Sequence, residues 1–243
     1  MVEKLLLIFS KNWVNSNLIL LNVFYLIILV NFILLNKELT FFTKKDVDKG
    51  ITPLDVYRLC SSIRETFCLS YSIRKNNNLF LIFQKRSILV KLNGDKLRYL
   101  GPDERSQALL LEKALVKGNE EKNIQNKEWK KSTPGIYVRK FPNICSLISF
   151  INSICNGPSF FLINKNQFSE INTKIFDFRE SAIKDLDLSS FIIPNYNFLN
   201  GEFDVIKLFK GVKNIKFVSL SKIDIVENKI LYINFQKDRL ELN

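Results

Sequence analysis

Not one of the 243 residues is a histidine. That absence removes Ser-His-Asp and Cys-His catalysis, together with every zinc site that uses a histidine ligand. The four cysteines, Cys60, Cys68, Cys145 and Cys155, nowhere form a C-x-x-C pair, which argues against a zinc ribbon or a thioredoxin-like redox site. An even count permits disulfides, but a chain of this length buries a core without them. Each cysteine has apolar neighbours, so the reading is four reduced, buried thiols in a cytoplasmic protein. Internal repeats and low-complexity tracts are also missing. Acid is short: 24 Asp and Glu stand against 36 Lys and Arg, leaving a net charge of +12. The mix of 47% hydrophobic and 25% charged residues fits neither disorder nor a polytopic membrane protein.

Long apolar runs are absent with one exception. LILLNVFYLIILVNFILL, from Leu18 to Leu35, is uncharged and broken only by Asn22 and Asn31. Its length is near the minimum for crossing a bilayer, so one reading is a membrane anchor, and a membrane partner follows only on that reading. Lys4 and Lys11 before it and Lys37, Lys44 and Lys45 after it give no clear positive-inside asymmetry. As a signal peptide it is poor, because no A-x-A-like site follows. A second reading is upstream sequence translated from a start codon chosen too early, since these residue types are favoured by AT-rich codons. A third is a buried N-terminal helix. The expected organisation is an apolar extension over 1–36 and an α/β domain over 37–243.

From Lys37 onward, strands and helices alternate. Glu38–Thr43 (ELTFFT) reads as the first short strand. Thr52 and Pro53 open a helix through about Cys68, with Thr as cap and Pro in the first turn. Leu79–Phe83 and Ile88–Leu92 are consecutive β-branched or apolar strands, and residues 102–116 are helical. The charged run over 117–131 is a solvated segment. After it come a strand at Gly135–Arg139, a helix over 143–154 and a strand at Ser159–Asn164. Phe191–Ile193 and Ile215–Leu220 are inner strands, with a short helix near 202–209 between them. This alternation implies a largely parallel sheet with helices on both faces.

Two local motifs carry more than the pattern. GPDERS, Gly101–Ser106, is a loop-to-helix transition, and on chemistry alone it is an ordinary helix start with Asp103 and Glu104 at the positive end of the dipole. STPGIYVRK, Ser132–Lys140, is a turn with Gly135 at the position needing positive φ, delivering a strand that ends in Arg139 and Lys140. Those two cations are either solvated or in contact with phosphates. Taken with Phe67–Lys75 (FCLSYSIRK) and Trp129 at the head of WKKSTPGIYVRK, these motifs resemble the archaeal tRNA pseudouridine-54 N1-methyltransferase family of TrmY type. That family is placed in the SPOUT class of α/β-knot proteins. The resemblance runs from about Lys37 to the C-terminus.

It implies a homodimer with a C-terminal trefoil knot, S-adenosylmethionine as cofactor, tRNA as partner, no metal, and methyl transfer to N1 of pseudouridine in the T-loop. Such a transfer is chiefly a matter of positioning. Residues 1–36 hold only Lys4, Lys11 and Glu3, a net +1, so +11 of the +12 remains beyond them and suits a polyanion. By the resemblance, Asp103 and Arg105 are the catalytic candidates, with Asp103 handling the N1 proton. Arg74, Arg105, Arg139 and Lys140 are the candidate RNA contacts, and Leu162, Pro194, Leu220, Ser221, Ile225 and Ile230 the cofactor contacts.

Around the cofactor the chain departs from the family pattern. Asn166-Gln167-Phe168 stand where Gly-Glu-Asp is usual, and Pro194-Asn195-Tyr196-Asn197-Phe198 where Gly-Asp-His-Ile-Gly is usual. Proline at 194 removes an N–H donor and restricts a loop that glycine leaves free. Ser219-Leu220-Ser221 and Asn228 match, whereas Val226, Lys229 and Ile230 replace His, His and Cys. The last segment, KIDIVENKILYINF, is read as the family's helix, with a hairpin at Glu227–Lys229 as the alternative. Two functions therefore stand: a divergent methyltransferase, or a relative that binds RNA or a protein partner without methyl transfer.

Overall fold

The structure, a computed structural model, describes residues 28–119, 128–163, 176–178, 186–195, 209, 215–220 and 223–241. Its elements, in chain order, begin with β1 (Val30–Asn36), α1 (Lys44–Asp48), α2 (Leu54–Phe67), β2 (Asn77–Phe83), β3 (Ile88–Asn93) and α3 (Glu104–Asn119). They continue with β4 (Lys130–Thr133), β5 (Ile136–Lys140), α4 (Ile144–Ile154), β6 (Ser159–Leu162), β7 (Phe176–Asp177), β8 (Ser189–Pro194), β9 (Ile215–Ser219) and α5 (Val226–Glu241). The strands form one mixed sheet in the order β4-β5-β3-β2-β1-β8-β6-β9-β7. From β2 through β1, β8, β6 and β9 to β7 every pairing is parallel, while β3, β5 and β4 add an antiparallel flank.

Central strands of such a sheet are apolar on both faces because helices cover both. In β1, Phe32 and Leu34 face one core with α2, α3 and α5, and Ile33 and Leu35 face a second core with α4. All four side chains are fully buried, a contribution of roughly 2 kcal/mol each. The expectation of helices on both faces is met.

The first strand is where the expectation is corrected. It lies at Val30–Asn36, flanked by β2 and β8, and Glu38–Thr43 is the connection that follows it. The boundary drawn between residues 36 and 37 therefore falls after a central strand. Physically, VNFILLN has the continuous apolar character of a doubly covered strand, and that same character made it read as part of a bilayer span. Residues 30–35 of the uncharged run belong to the sheet, while 18–27 lie outside the described residues. Among the described residues no helix is long and apolar enough to cross a membrane.

Elsewhere the elements fall close to their expected places. Helix α2 buries Val56, Leu59, Cys60, Ile63 and Phe67, a stripe at helical spacing. Asn143 caps α4, its side chain accepting from the Ser146 N–H at 2.8 Å. Residues 120–127 of the charged run lie outside the described residues, while Lys130 and Lys131 belong to β4 rather than to a solvated segment. The expected helix near 202–209 also falls outside, except for Phe209.

The C-terminal segment is a helix, not a hairpin. Its β-branched residues Ile230 and Ile233 are fully buried in the core beneath α2. A polar network fixes its other contacts. Asn234 Nδ2 donates to the Glu65 carbonyl at 2.8 Å, Asn77 Nδ2 donates to Asn234 Oδ1 at 2.9 Å, and Lys237 Nζ donates to Asn77 Oδ1 at 2.8 Å. All four cysteines are free, but Cys145 is exposed rather than buried. It occupies the outer side of the first turn of α4. Cys60 is packed in the core, where burial pushes its thiol up to about 12, leaving no nucleophilic thiolate at neutral pH.

Candidate functional site

In open parallel sheets ligands bind beyond the carboxyl ends of the strands, at the point where successive connections diverge. Here that point lies between β1 and β8. From β1 the chain passes to β2 on one side, and β8 returns on the other. The carboxyl ends brought together are Leu35–Asn36, Pro194–Asn195, Leu162–Ile163 and Ser219–Leu220.

These ends are cross-tied. Asn195 N–H donates to the Leu35 carbonyl at 2.9 Å, so the ladder continues one residue past Pro194, which itself has no N–H to give. Asn195 Nδ2 donates to Asn36 Oδ1 at 2.8 Å, and Asn36 Nδ2 donates to the Ile82 carbonyl at 3.3 Å. Ile163 N–H reaches the Val218 carbonyl at 2.9 Å, and Ile223 N–H the Leu220 carbonyl at 3.0 Å in the turn that leads to α5.

Next to these ends a crevice of about 370 Å³ is lined by Thr40, Pro53, Leu54, Asp55, Arg58 and Asn195. Asp55 is held at its entrance because its carboxylate accepts the Thr40 N–H at 2.6 Å and the Val56 N–H at 3.0 Å. Arg58 is one turn further along α2 and exposed. The crevice thus offers a carboxylate, a guanidinium, an amide and a hydroxyl on a backbone fixed by ladder bonds.

The expected cofactor residues divide. Pro194 closes β8 and is buried opposite Leu35. Leu162, Leu220 and Ile230 belong to the core, and none of the expected cofactor residues among the described ones lines the crevice. Ile225 is about half exposed, at 53%, before the first turn of α5. Ser221 lies outside the described residues, as do 166–168 and 196–198. Lys229, where the family has His, is buried, and desolvation pulls its ammonium down to about 8 against the opposing charge of Asp224.

The GPDERS turn folds as the ordinary helix start its chemistry suggests. Asp103 Oδ1 accepts the Ser106 N–H at 2.8 Å, Gly101 N–H donates to Ser106 Oγ at 3.1 Å, and Gln107 Nε2 donates to the Gly101 carbonyl at 3.0 Å. Arg105 pairs with Asp48 at the end of α1, Nη2 to Oδ1 at 2.7 Å. Neither Asp103 nor Arg105 lines the strand-end crevice. Arg74 makes a two-pronged ion pair with Asp238 of α5, a role in the packing that the sequence did not announce.

The STPG turn delivers Arg139 and Lys140 as expected. Gly135 has φ +83, and a Cβ there would stand 2.4 Å from the Leu97 nitrogen. Arg139 lies over the rings of Phe141 and Phe150, at 4.6 and 4.8 Å from their centroids, with its Nε buried and without a hydrogen bond among the described residues. Lys140 ends β5, half-buried. Sequence reasoning missed the asparagines Asn36 and Asn195 and the acidic and basic pair Asp55 and Arg58. The only signal for the first was an asparagine closing an otherwise apolar run. Among the described residues no cluster of acidic and thiol side chains could hold a metal ion.

A family model described as "Putative SAM-dependent RNA methyltransferase" matches residues 32–155. The tRNA (pseudouridine(54)-N(1))-methyltransferase of Methanocaldococcus jannaschii is 35% identical over 99 residues, 40% of this chain and 47% of that protein. The chain thus spans about half the length of that curated relative. The protein of the same name from Methanocella arvoryzae is 25% identical over 201 residues, 82% of this chain and 91% of that one. Among solved structures, Archaeoglobus fulgidus Nep1 bound to S-adenosylhomocysteine superposes with a TM-score of 0.49 at 13% identity, over 89% of this chain and 99% of that one.

Proposed function

The chain belongs to this SAM-dependent RNA methyltransferase family, and from that membership we propose that it methylates N1 of pseudouridine 54 in the T-loop of tRNA. The observation that carries the reading is that one relative matched along just under half of its length and another matched along 91% of it bear the same name, tRNA (pseudouridine(54)-N(1))-methyltransferase.

S-adenosylmethionine would supply an electrophilic methyl group. The crevice fits such a group: its volume of about 370 Å³ is in the range of small-ligand sites. Asp55 and Arg58 offer opposite charges to the two ends of an amino-acid tail. In this reading the ligand extends from the crevice along the strand ends, where Pro194, Leu162, Leu220 and Ser221 would meet it through main-chain atoms, Ile225 would flank it, and Ile230 would support the loop from the core. The base would give up its N1 proton as the new N–C bond forms and the methyl–sulfur bond breaks, the electron pair staying on sulfur in the departing S-adenosylhomocysteine. That proton is assigned to Asp103, whose Oδ1 serves the helix cap and whose Oδ2 does not. Because GPDERS lies away from the crevice of its own chain, the reading includes a homodimer in which one copy's turn faces the other's crevice. It also includes the C-terminal trefoil knot implied by the resemblance. Arg105, Arg139, Lys140 and, at the edge of its ion pair, Arg74 would meet phosphates, where a net charge of +12 favours binding that weakens steeply with salt.

Calorimetric titration of the full chain with S-adenosylmethionine is the test, followed by mass analysis of tRNA nucleosides for N1-methylpseudouridine. Saturable binding and the methylated nucleoside are expected. A folded protein that binds tRNA, ignores the cofactor and leaves the tRNA unmodified would instead establish the second reading, a relative without methyl transfer. The observation favouring that alternative is Pro194 in place of the family's glycine.

A further inference from the structure

At the opposite, amino-terminal end of the central strands a second cavity, of about 330 Å³, lies against the α4 face. Two of its lining residues, Asn31 and Asn78, belong to a row that is unusual for a covered sheet. Ser159, Ser190, Asn31, Asn78 and Asn93 are neighbours in register across β6, β8, β1, β2 and β3. They form one polar row where doubly covered strands are normally apolar. Asn78 Nδ2 donates to Asn31 Oδ1 at 3.0 Å, and Asn31 Nδ2 reaches Ser190 Oγ only at 3.5 Å. Asn31 and Asn78 both line the cavity, so an amide acceptor and an amide donor remain for a ligand.

The walls are aromatic and cationic. Trp129 and Phe150 meet edge to face at 5.9 Å, and Phe80 forms the adjoining floor. Lys91 is half-buried with its Nζ 5.6 Å from the Phe80 ring centroid and has no ion pair among the described residues. Burial, reinforced by Lys96, lowers its pKa, as expected of an ammonium held ready without a counter-charge. Arg139, over Phe150, stands beside the rim.

We propose that this cavity binds one unpaired nucleotide of an RNA, its base stacked on the aromatic wall that Trp129 and Phe150 form together and against Asn31 and Asn78, its phosphate on Lys91. Stacking surfaces, amides for a base edge and an unpartnered cation are the three elements of single-strand recognition. The inference rests on the RNA-substrate reading above, yet it concerns a site that none of the expected contact residues lines.

The test is quenching of tryptophan fluorescence in the full chain by each of the four ribonucleoside 5′-monophosphates, with inorganic phosphate as control. Saturable quenching by at least one nucleotide is expected, absent in W129F and weakened about tenfold in K91Q, as for loss of one charge-assisted hydrogen bond. N78L provides a second, uncharged variant and should also weaken binding. No quenching by any nucleotide, equal binding in K91Q and N78L, quenching that persists in W129F, or competition by phosphate alone at the same affinity would each overturn the proposal. Cofactor titration of the same samples separates the two readings. Nucleotide binding without S-adenosylmethionine binding leaves this pocket standing and removes the methyltransferase, and the reverse removes only the pocket.

Discussion

Replacing Lys237 by methionine should make the protein's stability less dependent on pH. Lys237 is fully buried, and desolvation, only partly opposed by Glu241, pulls its ammonium from 10.5 down to about 8. Below pH 8 the lysine is charged whether folded or unfolded, so stability is flat there and the whole penalty of burying the charge is present. Between pH 8 and 10.5 the unfolded chain holds a proton that the folded chain has lost, so stability rises with pH. Over that window the gain is about 3 kcal/mol. Lys229, also lowered to about 8 by burial, adds a second rise of the same sign. In Lys237→Met the first rise disappears. At pH 7 the relief of desolvation is offset by leaving Asn77 Oδ1 without the donor it has at 2.8 Å, a loss of about 1–3 kcal/mol, so the net change there is small and favourable. Urea unfolding followed by circular dichroism at pH 7, 8.5 and 10 measures this directly. Tyrosine and cysteine titrations cancel in the comparison of variant with wild type. A variant that kept the full wild-type rise would refute the reasoning.

Three shorter predictions accompany it. Asp238→Asn should destabilise by about 1–2 kcal/mol, the two-pronged pair with Arg74 being discounted for the carboxylate's partial exposure; denaturant midpoints at 0.1 and 1 M salt should converge if the effect is electrostatic. Gly135→Ala should lose about 2 kcal/mol or more, since φ +83 and the Leu97 backbone both oppose a Cβ; an unchanged melting temperature would contradict it. Cys145, exposed, should react with a thiol reagent in the native protein while Cys60, raised to about 12 by burial, stays unreactive until unfolding; mass spectrometry of the labelled peptides decides.

Much of the fold was legible because strands and helices announce themselves by different periods. α2 carried both its start signal, Pro53, and its stripe, and the turn before β5 carried its glycine. What was not legible has a common physical cause. The β1 residues VNFILLN are apolar on both faces, and a run of that kind is the same string in a central strand as in a bilayer span. Only its partners β2 and β8, distant in sequence, distinguish the two. The Arg74–Asp238 pair and the Lys237–Asn77 contact join residues some 160 positions apart, and nothing local marks them. α5 was ambiguous for the opposite reason: its β-branched residues favour a strand by propensity, and burial of Ile230 and Ile233 against α2 decides for the helix. At the candidate site the motifs named positions but not employment, so Asp103 could be placed by resemblance while its hydrogen bond to the Ser106 N–H could not.

Strand β1 joins the two candidate sites, and its length makes them separable. Asn31 lies in the polar row near its start and Asn36, which holds the crevice residue Asn195, at its end, about 17 Å apart along an extended chain. A nucleotide seated on the Trp129–Phe150 wall is therefore not the one presented at the carboxyl ends, and each site can be perturbed alone. Pro194→Gly should tighten S-adenosylmethionine binding, by restoring an N–H and loosening the loop next to Asn195. Lys91→Gln should weaken nucleotide binding without touching the cofactor. Substitutions this far apart and without shared partners add to within about 0.5 kcal/mol. The double variant should thus show the sum of the two single effects when cofactor and tRNA affinities are measured together by calorimetry. A coupling well above that limit would mean that the sheet transmits a change from one end of its strands to the other, and the description of two independent sites on one rigid strand would have to be abandoned.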